Sequence, residues 1–392
     1  MKDTWRFGAE ELENLTEVLR SGDVAGMSGS ANITLEKRFA ECMGANYGIT
    51  FNSGTSTLHA ALHALNVGPG DEVIMPALTV IANLQVTIAQ NAVPIFADVD
   101  PVTYNLDPKD VAAKISSRTK AIMAVPLYGA PCEYDELLCL GIPIINDAAQ
   151  APLARYKGQP IGAICDITSF SFDATKHMTT GDGGMITTLS QDAAVAIRKF
   201  GCLGYRTLQA SDGRVRNNKD LFQNPEYSRH DAIGLNYRMS EFQAAVGLAQ
   251  LEKLQSFVNL RREIARLYYD VCEGWVGLQP QLGGYSEDSA YWTFACRLVA
   301  DDIDWMAFRR KFIQFGGSGI YAAWRLLYDE DVFSSGVWQT RYPEIYEGYH
   351  FHKCKVASEI QPQLMQFPLN EPSLEAAMVG IDALNKTINY YA

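Results

Sequence analysis

Residues 169–184, SFSFDATKHMTTGDGG, decide the fold of this chain. An apolar segment ends in a hydroxyl-rich turn, presents one lysine, Lys176, and enters a run of glycines. Lysine is suited to Schiff-base chemistry, because burial and a nearby positive charge lower its pKa and free the amine as nucleophile and base. The glycines indicate close backbone packing where a bulky neighbour could not fit. The segment therefore predicts a catalytic lysine on a strand–turn unit; a surface lysine is the alternative.

Short apolar runs alternate with amphipathic stretches on both sides of this segment, from residue 47 to about 190. This pattern predicts an α/β domain with a mostly parallel, seven-stranded sheet covered by helices. The predicted strands are 47–51, 72–75, 93–98, 121–126, 143–145, 168–172 and 184–188. Helices are predicted between them, for example at 55–65 and 107–115.

The C-terminal part of the chain has a different pattern. Ser240 caps a long amphipathic helix that runs to about residue 272 and is predicted to bridge two domains. A strand at 290–299 and helices at 304–315 and 374–390 then predict a smaller α+β domain. We place the large domain, with an N-terminal arm, at 1–255 and the small one at 256–392. Residues 205–230 are rich in residue pairs that favour turns, such as Asp212-Gly213, and predict a long loop.

Three more segments carry candidate site residues. At 51–57 a strand turns through Gly54 into a helix, where amides and the Thr55 hydroxyl could bind an anion; an ordinary capped helix start is the alternative. Asp147 follows the apolar strand predicted at 143–145. Its carboxylate could pair with a protonated ring nitrogen or cap a helix. Asn236 and Arg238 could complete a phosphate site or cap the long helix. Because open α/β sheets bind ligands at the carboxyl ends of their strands, together these segments predict a site for an anionic aromatic cofactor.

Composition excludes several other classes of function. The formal net charge of -12 disfavours nucleic-acid binding, which needs clustered Lys and Arg. The N-terminus has no apolar signal core and no run of about 18 apolar residues occurs, so we expect a cytoplasmic protein without membrane contact. His350 and His352 lack an acidic ligand pattern, so no metal site is expected. A nicotinamide dehydrogenase is disfavoured because no GxGxxG follows the first strand.

Taken in order, these segments resemble the sugar aminotransferases of the DegT/DnrJ/EryC1/StrS family, which have the aspartate aminotransferase fold (fold type I) and depend on pyridoxal 5'-phosphate (PLP). The similarity extends from about residue 10 to 390. It includes LRSG at 19–22, GPGDEV at 68–73, AQA at 149–151 and QAA at 243–245.

The resemblance implies roles for single residues around the cofactor ring. Lys176 lies where the family attaches PLP covalently. Asp147 lies where the family pairs with the pyridine nitrogen, and Gln150 where it approaches the ring hydroxyl.

The resemblance also implies how the phosphate is bound. Gly54, Thr55 and Ser171 lie at phosphate-binding positions. Asn236 matches a residue that family members contribute to the phosphate site of the neighbouring subunit, which implies a homodimer with shared active sites.

The chain departs from the family pattern at three positions. Val80 lies near where an aromatic side chain usually stacks on the cofactor ring, so stacking is weaker or comes from elsewhere. Asp182 replaces the usual glutamate, and Asn146 the usual acid before Asp147. Neither of these two changes removes an essential group.

The resemblance implies an enzyme that moves an amino group from L-glutamate to a keto-sugar, most often nucleotide-linked, in surface polysaccharide or lipopolysaccharide biosynthesis. One alternative is amination at C8 of a free Kdo-type sugar acid, since residues 361–368, QPQLMQFP, resemble Kdo 8-aminotransferases. His177 raises the alternative of a sugar dehydratase, in which histidine replaces the lysine, although the register places Lys176 at that position. A non-catalytic regulator is the last alternative. The aromatics of 321–328 predict either core packing or an acceptor pocket.

Overall fold

The chain forms two sheets and a set of covering helices in a computed structural model that describes residues 4–215 and 219–392. The strands are β1 (Tyr47–Phe51), β2 (Glu72–Pro76), β3 (Val93–Ala97), β4 (Thr119–Ala124), β5 (Ile144–Asp147), β6 (Arg155–Tyr156), β7 (Gln159–Pro160), β8 (Ile167–Ser171), β9 (Gly184–Thr188), β10 (Leu278–Pro280), β11 (Thr293–Leu298), β12 (Tyr321–Ala322) and β13 (Leu364–Pro368). The helices are α1 (Ala9–Ser21), α2 (Ala31–Cys42), α3 (Gly54–Ala64), α4 (Ala82–Ala89), α5 (Pro108–Lys114), α6 (Tyr134–Leu138), α7 (Gln191–Gly201), α8 (Lys219–Gln223), α9 (Glu241–Cys272), α10 (Trp305–Gln314), α11 (Asp331–Ser334), α12 (Pro343–Tyr346), α13 (Lys355–Ile360) and α14 (Leu374–Tyr391).

The large sheet has seven strands in the order β1-β9-β8-β5-β4-β2-β3. All pairs are parallel except those of β9, which runs antiparallel to both β1 and β8. Strands such as β2 and β9 are buried along their whole length, as expected for a sheet covered on both faces. The seven predicted strands are confirmed, with ends that differ by no more than two residues.

The small sheet has four antiparallel strands in the order β10-β11-β13-β12, and α10 and α14 pack together beside it. The predicted bridge is the 32-residue α9, which Ser240 caps through a bond from the Gln243 amide. This helix contacts α1 and α2 as well as α14 and β11. Within the described part of the chain, no helix combines the length and apolar character needed to cross a bilayer.

Residues 326–360 follow the small sheet's β12 but contribute to the core of the large one. Phe333 packs edge-on against Phe96 of β3, and the Tyr346 hydroxyl donates a hydrogen bond to the Ala92 carbonyl. The division at residue 255 lies within α9 and stays a prediction.

The predicted loop at 205–230 needs one correction, because it contains the short helix α8. Lys219 and Asp220 begin this helix, whereas residues 216–218 of the predicted loop lie outside the described residues. The rest of the segment is turns and isolated bridges, such as the one that joins Tyr205 to His230.

A buried ion pair joins α2 to α7 beneath the edge of the large sheet. Arg198 donates to both carboxylate oxygens of Glu36, at 3.0 and 2.9 Å, and its side chain is only 5% exposed. Glu36 also accepts bonds from the Thr50 amide and hydroxyl, which fixes α2 against β1.

Replacing Arg198 with methionine should destabilise the protein by about 3–5 kcal/mol, because the substitution leaves the Glu36 carboxylate buried without its cation. The measurement is the free energy of unfolding in denaturant. A Glu36→Gln, Arg198→Met double variant should recover part of the loss. Lys157→Met, which breaks the exposed pair with Asp135, is the control and should change little. A single variant as stable as wild type would contradict the assignment.

Candidate active site

Four sequence-predicted site residues meet at one edge of the large sheet. Strands β1, β5 and β8 run in the same direction, so their carboxyl ends lie together. Gly54 follows β1, Asp147 ends β5, and Ser171 ends β8 with Lys176 in the turn that follows. Thr57 of α3 is hydrogen-bonded to Ser169 of β8 at 2.6 Å, which draws the start of this helix onto the sheet. This edge is where open α/β sheets bind ligands.

The N-terminus of α3 forms a narrow cradle against the end of β8. A Cβ atom on Gly54 would lie 2.8 Å from Ser171 Cβ and 3.2 Å from its hydroxyl, so only glycine fits there without a shift. Ser53 caps the helix by accepting a bond from the Ser56 amide, and Thr55 in the first turn is exposed. Backbone amides at a helix N-terminus and nearby hydroxyls favour a phosphate-like anion.

The glycine run after Lys176 packs as its sequence predicts. A Cβ atom on Gly184 would lie 2.7 Å from the carbonyl oxygen of Ser53, directly before the cradle. The same atom on Gly183 would lie 2.2 Å from the Thr180 hydroxyl. A side chain at Gly184 would therefore clash with the backbone before α3, and one at Gly183 would clash within the turn after β8.

Lys176 and Asp147 interact electrostatically, and Lys176 is half-buried whereas Asp147 is buried. Burial lowers the pKa of Lys176, while the Asp147 and Asp173 carboxylates act in the opposite direction. Burial raises the pKa of Asp147, which is only 3% exposed, while Lys176 and the Ala149 amide oppose that change. The pair thus holds an amine whose neutral form is more accessible than that of a surface lysine.

Aromatic side chains line the space beside the amine. Lys176 Nζ lies 4.6 Å from the centre of the Trp292 ring, within cation–π range. Trp292 stacks on Trp324 with centroids 6.0 Å apart, and Trp324 stacks on Tyr128 at 6.4 Å. Gln150 is buried and accepts a bond from the Tyr128 amide at 2.6 Å, which leaves its NH₂ group as the donor for a ligand.

His177 is turned away from this space. Its Nε2 atom donates to the Ala290 carbonyl at 2.9 Å, and its side chain is buried. Burial, together with the charge of Arg261, lowers the pKa of His177 well below its usual value, so the ring is neutral. The position that faces Asp147 and Trp292 is therefore occupied by the lysine.

Asn236, like Thr55, is a predicted site residue that lies on the surface of its own chain. Its backbone bridges to Cys202, and the carbonyl of the next residue, Tyr237, accepts a bond from the Asn52 amide. Its side chain is exposed. Arg238 points elsewhere, with its guanidinium 3.6 Å from the Cys202 sulfur.

The model of the DegT/DnrJ/EryC1/StrS aminotransferase family matches residues 6–379. The chain belongs to this family. GDP-perosamine synthase of Caulobacter vibrioides is 40% identical over 267 residues, which is 67% of this chain and 67% of that protein. Spore coat polysaccharide biosynthesis protein SpsC of Bacillus subtilis is 38% identical over 266 residues, 67% of this chain and 66% of that protein. The aminotransferase of Psychrobacter cryohalolentis superposes with a TM-score of 0.86 at 27% identity, covering 98% of each chain.

The protein is a PLP-dependent aminotransferase of the predicted fold. The residues present fit this cofactor: a cradle too narrow for a Cβ atom at Gly54, a buried carboxylate at Asp147, and the half-buried Lys176, whose amine has a lowered pKa. Val80 is aliphatic where the family usually has an aromatic residue. An aromatic ring close to the Lys176 amine is that of Trp292, directly before β11. The sequence analysis did not single out Trp292, because this residue lies within the predicted strand 290–299 and fits its apolar pattern.

Replacing Gly54 with alanine should raise the Kd for PLP about tenfold, because the added methyl group forces Ser171 away from the helix N-terminus. Gly68→Ala is the matched control, since a Cβ atom there meets nothing within 4 Å. Fluorescence titration of the cofactor-free proteins gives both constants, and thermal unfolding shows whether the folds survive. Equal affinities in the two variants would contradict the cradle.

Replacing Asp147 with asparagine should lower the pKa of Lys176 further in the cofactor-free protein, because the substitution removes a charge that stabilises the ammonium form. The midpoint of its pH-dependent acylation, followed by mass spectrometry of the peptide, should shift to lower pH. Lys157, whose pKa Asp135 raises at the surface, is the internal control. The same midpoint in both proteins would show that the two groups do not interact.

Proposed function

We propose that the enzyme transfers an amino group from L-glutamate to a keto-sugar, with Lys176 as the residue that carries the cofactor. The observation that carries this proposal is the half-buried Lys176, whose amine has a lowered pKa, together with the buried Asp147 carboxylate and the cradle at Gly54 and Ser171. An amine for covalent attachment, a carboxylate for a ring nitrogen and a pocket for a phosphate are the groups that PLP requires.

PLP supplies, when bound, an electrophilic carbon that accepts amines and an electron-withdrawing ring. In the proposal Asp147 keeps a ring nitrogen protonated, since burial strengthens its interaction with a nearby cation. Gln150 directs its NH₂ group toward the ring hydroxyl, and Ser171, Gly54 and Thr55 bind the phosphate.

The Lys176 amine has two tasks in this proposal. It holds the cofactor at rest, and once a substrate amine has displaced it, it moves a proton to and from the substrate carbon that carries nitrogen. A lowered pKa suits both tasks, because each needs the neutral amine. Donor and acceptor use the same amine in turn, so ping-pong kinetics are expected.

The acceptor is proposed to bind on the side of Lys176 where Trp292 and Trp324 lie. Trp324 is half-buried and stacks on Trp292, and Arg325 beside it is exposed with Asp331 at 3.2 Å. The remainder of 321–328 is divided, because Leu327 and other members are buried in the core. Aromatic faces and an arginine suit a sugar that carries an anionic group.

Nucleotide-linked keto-sugars are the first choice of acceptor. Two GDP-perosamine synthases are among the relatives, and the Caulobacter protein is 40% identical. The alternative acceptor, a free Kdo-type sugar acid aminated at C8, rests on the resemblance of residues 361–368 to Kdo 8-aminotransferases. Most of that segment is β13, whose Met365 and Phe367 are fully buried in the small domain, so it reports on packing more than on the acceptor.

A homodimer with shared sites is part of the proposal. Asn236 is exposed beside two apolar side chains, Ile233 at 82% and Leu235 at 41% exposure. Leu203, hydrogen-bonded to Leu235 through the backbone, is 38% exposed. An apolar patch around a polar phosphate ligand suits a surface that a second copy covers.

Replacing Lys176 with alanine should abolish transfer, because the variant loses both the attachment point and the proton carrier. The measurement is 2-oxoglutarate release and the change in cofactor absorbance when L-glutamate is added. Lys157→Ala, which removes an exposed lysine, is the control and should behave as wild type. Transamination by the Lys176→Ala variant at the wild-type rate would overturn the proposed role.

The acceptor is identified by adding candidate sugars to the enzyme in its aminated cofactor form. A sugar that accepts the amino group returns the cofactor to its starting absorbance spectrum. Nucleotide-linked 4-keto-6-deoxyhexoses form one arm of the screen, and the C8 aldehyde of a Kdo-type acid the other. Recovery in the second arm alone would replace the first choice with the alternative. A wild-type enzyme that releases no 2-oxoglutarate from glutamate would contradict the donor assignment.

A further inference from the structure

The turn that carries Lys176 is held at every backbone carbonyl from 173 to 177. Within the turn, the Lys176 amide donates to the Asp173 carbonyl at 3.0 Å. Trp292 Nε1 donates to the Thr175 carbonyl at 2.9 Å. The other carbonyls all accept bonds from one side chain, Arg6: those of Ala174 at 2.9 Å, Lys176 at 2.6 Å and His177 at 2.8 Å.

Arg6 belongs to the N-terminal arm, the residues that precede α1, and is buried against α9. Its side chain is 1% exposed, and its guanidinium lies 5.8 Å from the centre of the Phe257 ring. Trp5 packs edge-on against Phe257, with ring centroids 5.7 Å apart. The arm is thus anchored by aromatic packing on a long helix.

Gln250 links the same arm to the far end of the lysine turn. Its Nε2 donates to the Arg6 carbonyl and to Glu11, both at 2.8 Å, and its Oε1 accepts a bond from the Thr179 amide. Lys253 pairs with Glu11 at 2.8 Å. The arm, α9 and the turn therefore form one hydrogen-bonded unit.

We propose that Arg6 is a positioning residue for the amino-transfer reaction, which sets the backbone of residues 174–177 and thereby the direction of the Lys176 amine. This inference rests on the proposed role of Lys176. A planar guanidinium offers several donors in fixed directions, so it can hold three carbonyls of one turn in a single arrangement. Without it, the carbonyls of Ala174, Lys176 and His177 lose their partners, and the turn can rotate.

The consequence for chemistry is a matter of distance. Reacting groups must lie within about 3–3.5 Å and be aligned, and a misplacement of about 1 Å can cost roughly 100-fold in rate. The Lys176 side chain is long, so a small rotation of its backbone moves Nζ by more than the backbone itself. The three carbonyls that Arg6 binds belong to residues 174–177, so its effect on the Lys176 amine is transmitted through the turn.

The test compares Arg6→Met and Arg6→Lys with wild type. Arg309→Met is the control, since Arg309 also donates to a backbone carbonyl, that of Ile320, away from the turn. Hydrogen exchange of the peptide 172–182 in the cofactor-free protein reads the turn directly. The position of the Lys176 amine is tested by the pH midpoint of the cofactor absorbance, by the Kd for PLP, and by kcat and KM measured separately.

In Arg6→Met, exchange in the peptide should be about 10- to 100-fold faster and kcat should fall by a similar factor with little change in KM for the donor. The pH midpoint should shift, and Arg6→Lys should restore part of each effect because a lysine keeps charge and donors. Arg309→Met should leave the peptide and the midpoint as in wild type.

Phe257→Leu keeps Arg6 but removes the ring on which it packs, so it serves if Arg6→Met does not fold. It should give a smaller change in the same direction. Wild-type exchange and an unchanged midpoint in the folded Arg6 variants, or in Phe257→Leu where those do not fold, would overturn the proposal. A wild-type protein that shows no cofactor band would instead contradict the role of Lys176, while the exchange comparison still decides the role of Arg6.

Discussion

The interaction between the Lys176 amine and the Asp147 carboxylate constrains the rest of this site. Burial disfavours the charged form of each group, and each partly restores the charged form of the other. The pair exists only because β5 and β8 are neighbours in the sheet, with Asp147 opposite Ser169 in register. A shift of one residue in this pairing would turn the side chains to the other face and separate the two groups.

The cradle depends on the same register. Ser171 ends β8 two residues after Ser169, so the strand that sets the distance to Asp147 also presents a hydroxyl to the start of α3. Gly54 can approach that strand closely because it has no Cβ atom. The position of the amine relative to both the carboxylate and the cradle therefore depends on β8, which pairs with β5 and ends at Ser171.

How far the sequence predicts the site depends on whether a residue acts through local structure. Gly54, Asp147 and Lys176 each lie at the end of a strand with a clear apolar pattern, so their place at the carboxyl edge followed from topology. Arg6 binds carbonyls about 170 residues away along the chain, and no periodicity records such a contact. Trp292 was hidden for a related reason, because the half-buried aromatic before β11 looks like any other member of the strand.

The two walls of the site come from different parts of the chain, and this division bears on how the enzyme could vary. Asp147, Gly54 and Lys176 belong to the large sheet, whereas Trp292 and Trp324 come from segments that flank β11 and β12 of the small one. Val80 is aliphatic, and the aromatic surface near the amine comes instead from the wall that Trp292 and Trp324 form. Substitutions in that wall would change what is held beside Lys176 while the groups proposed to hold PLP keep their register. The wall also touches the lysine turn, since the indole of Trp292 donates to the Thr175 carbonyl. Packing of the small domain is therefore coupled to the direction of the amine, as the Arg6 contacts couple the N-terminal arm to it from the other side.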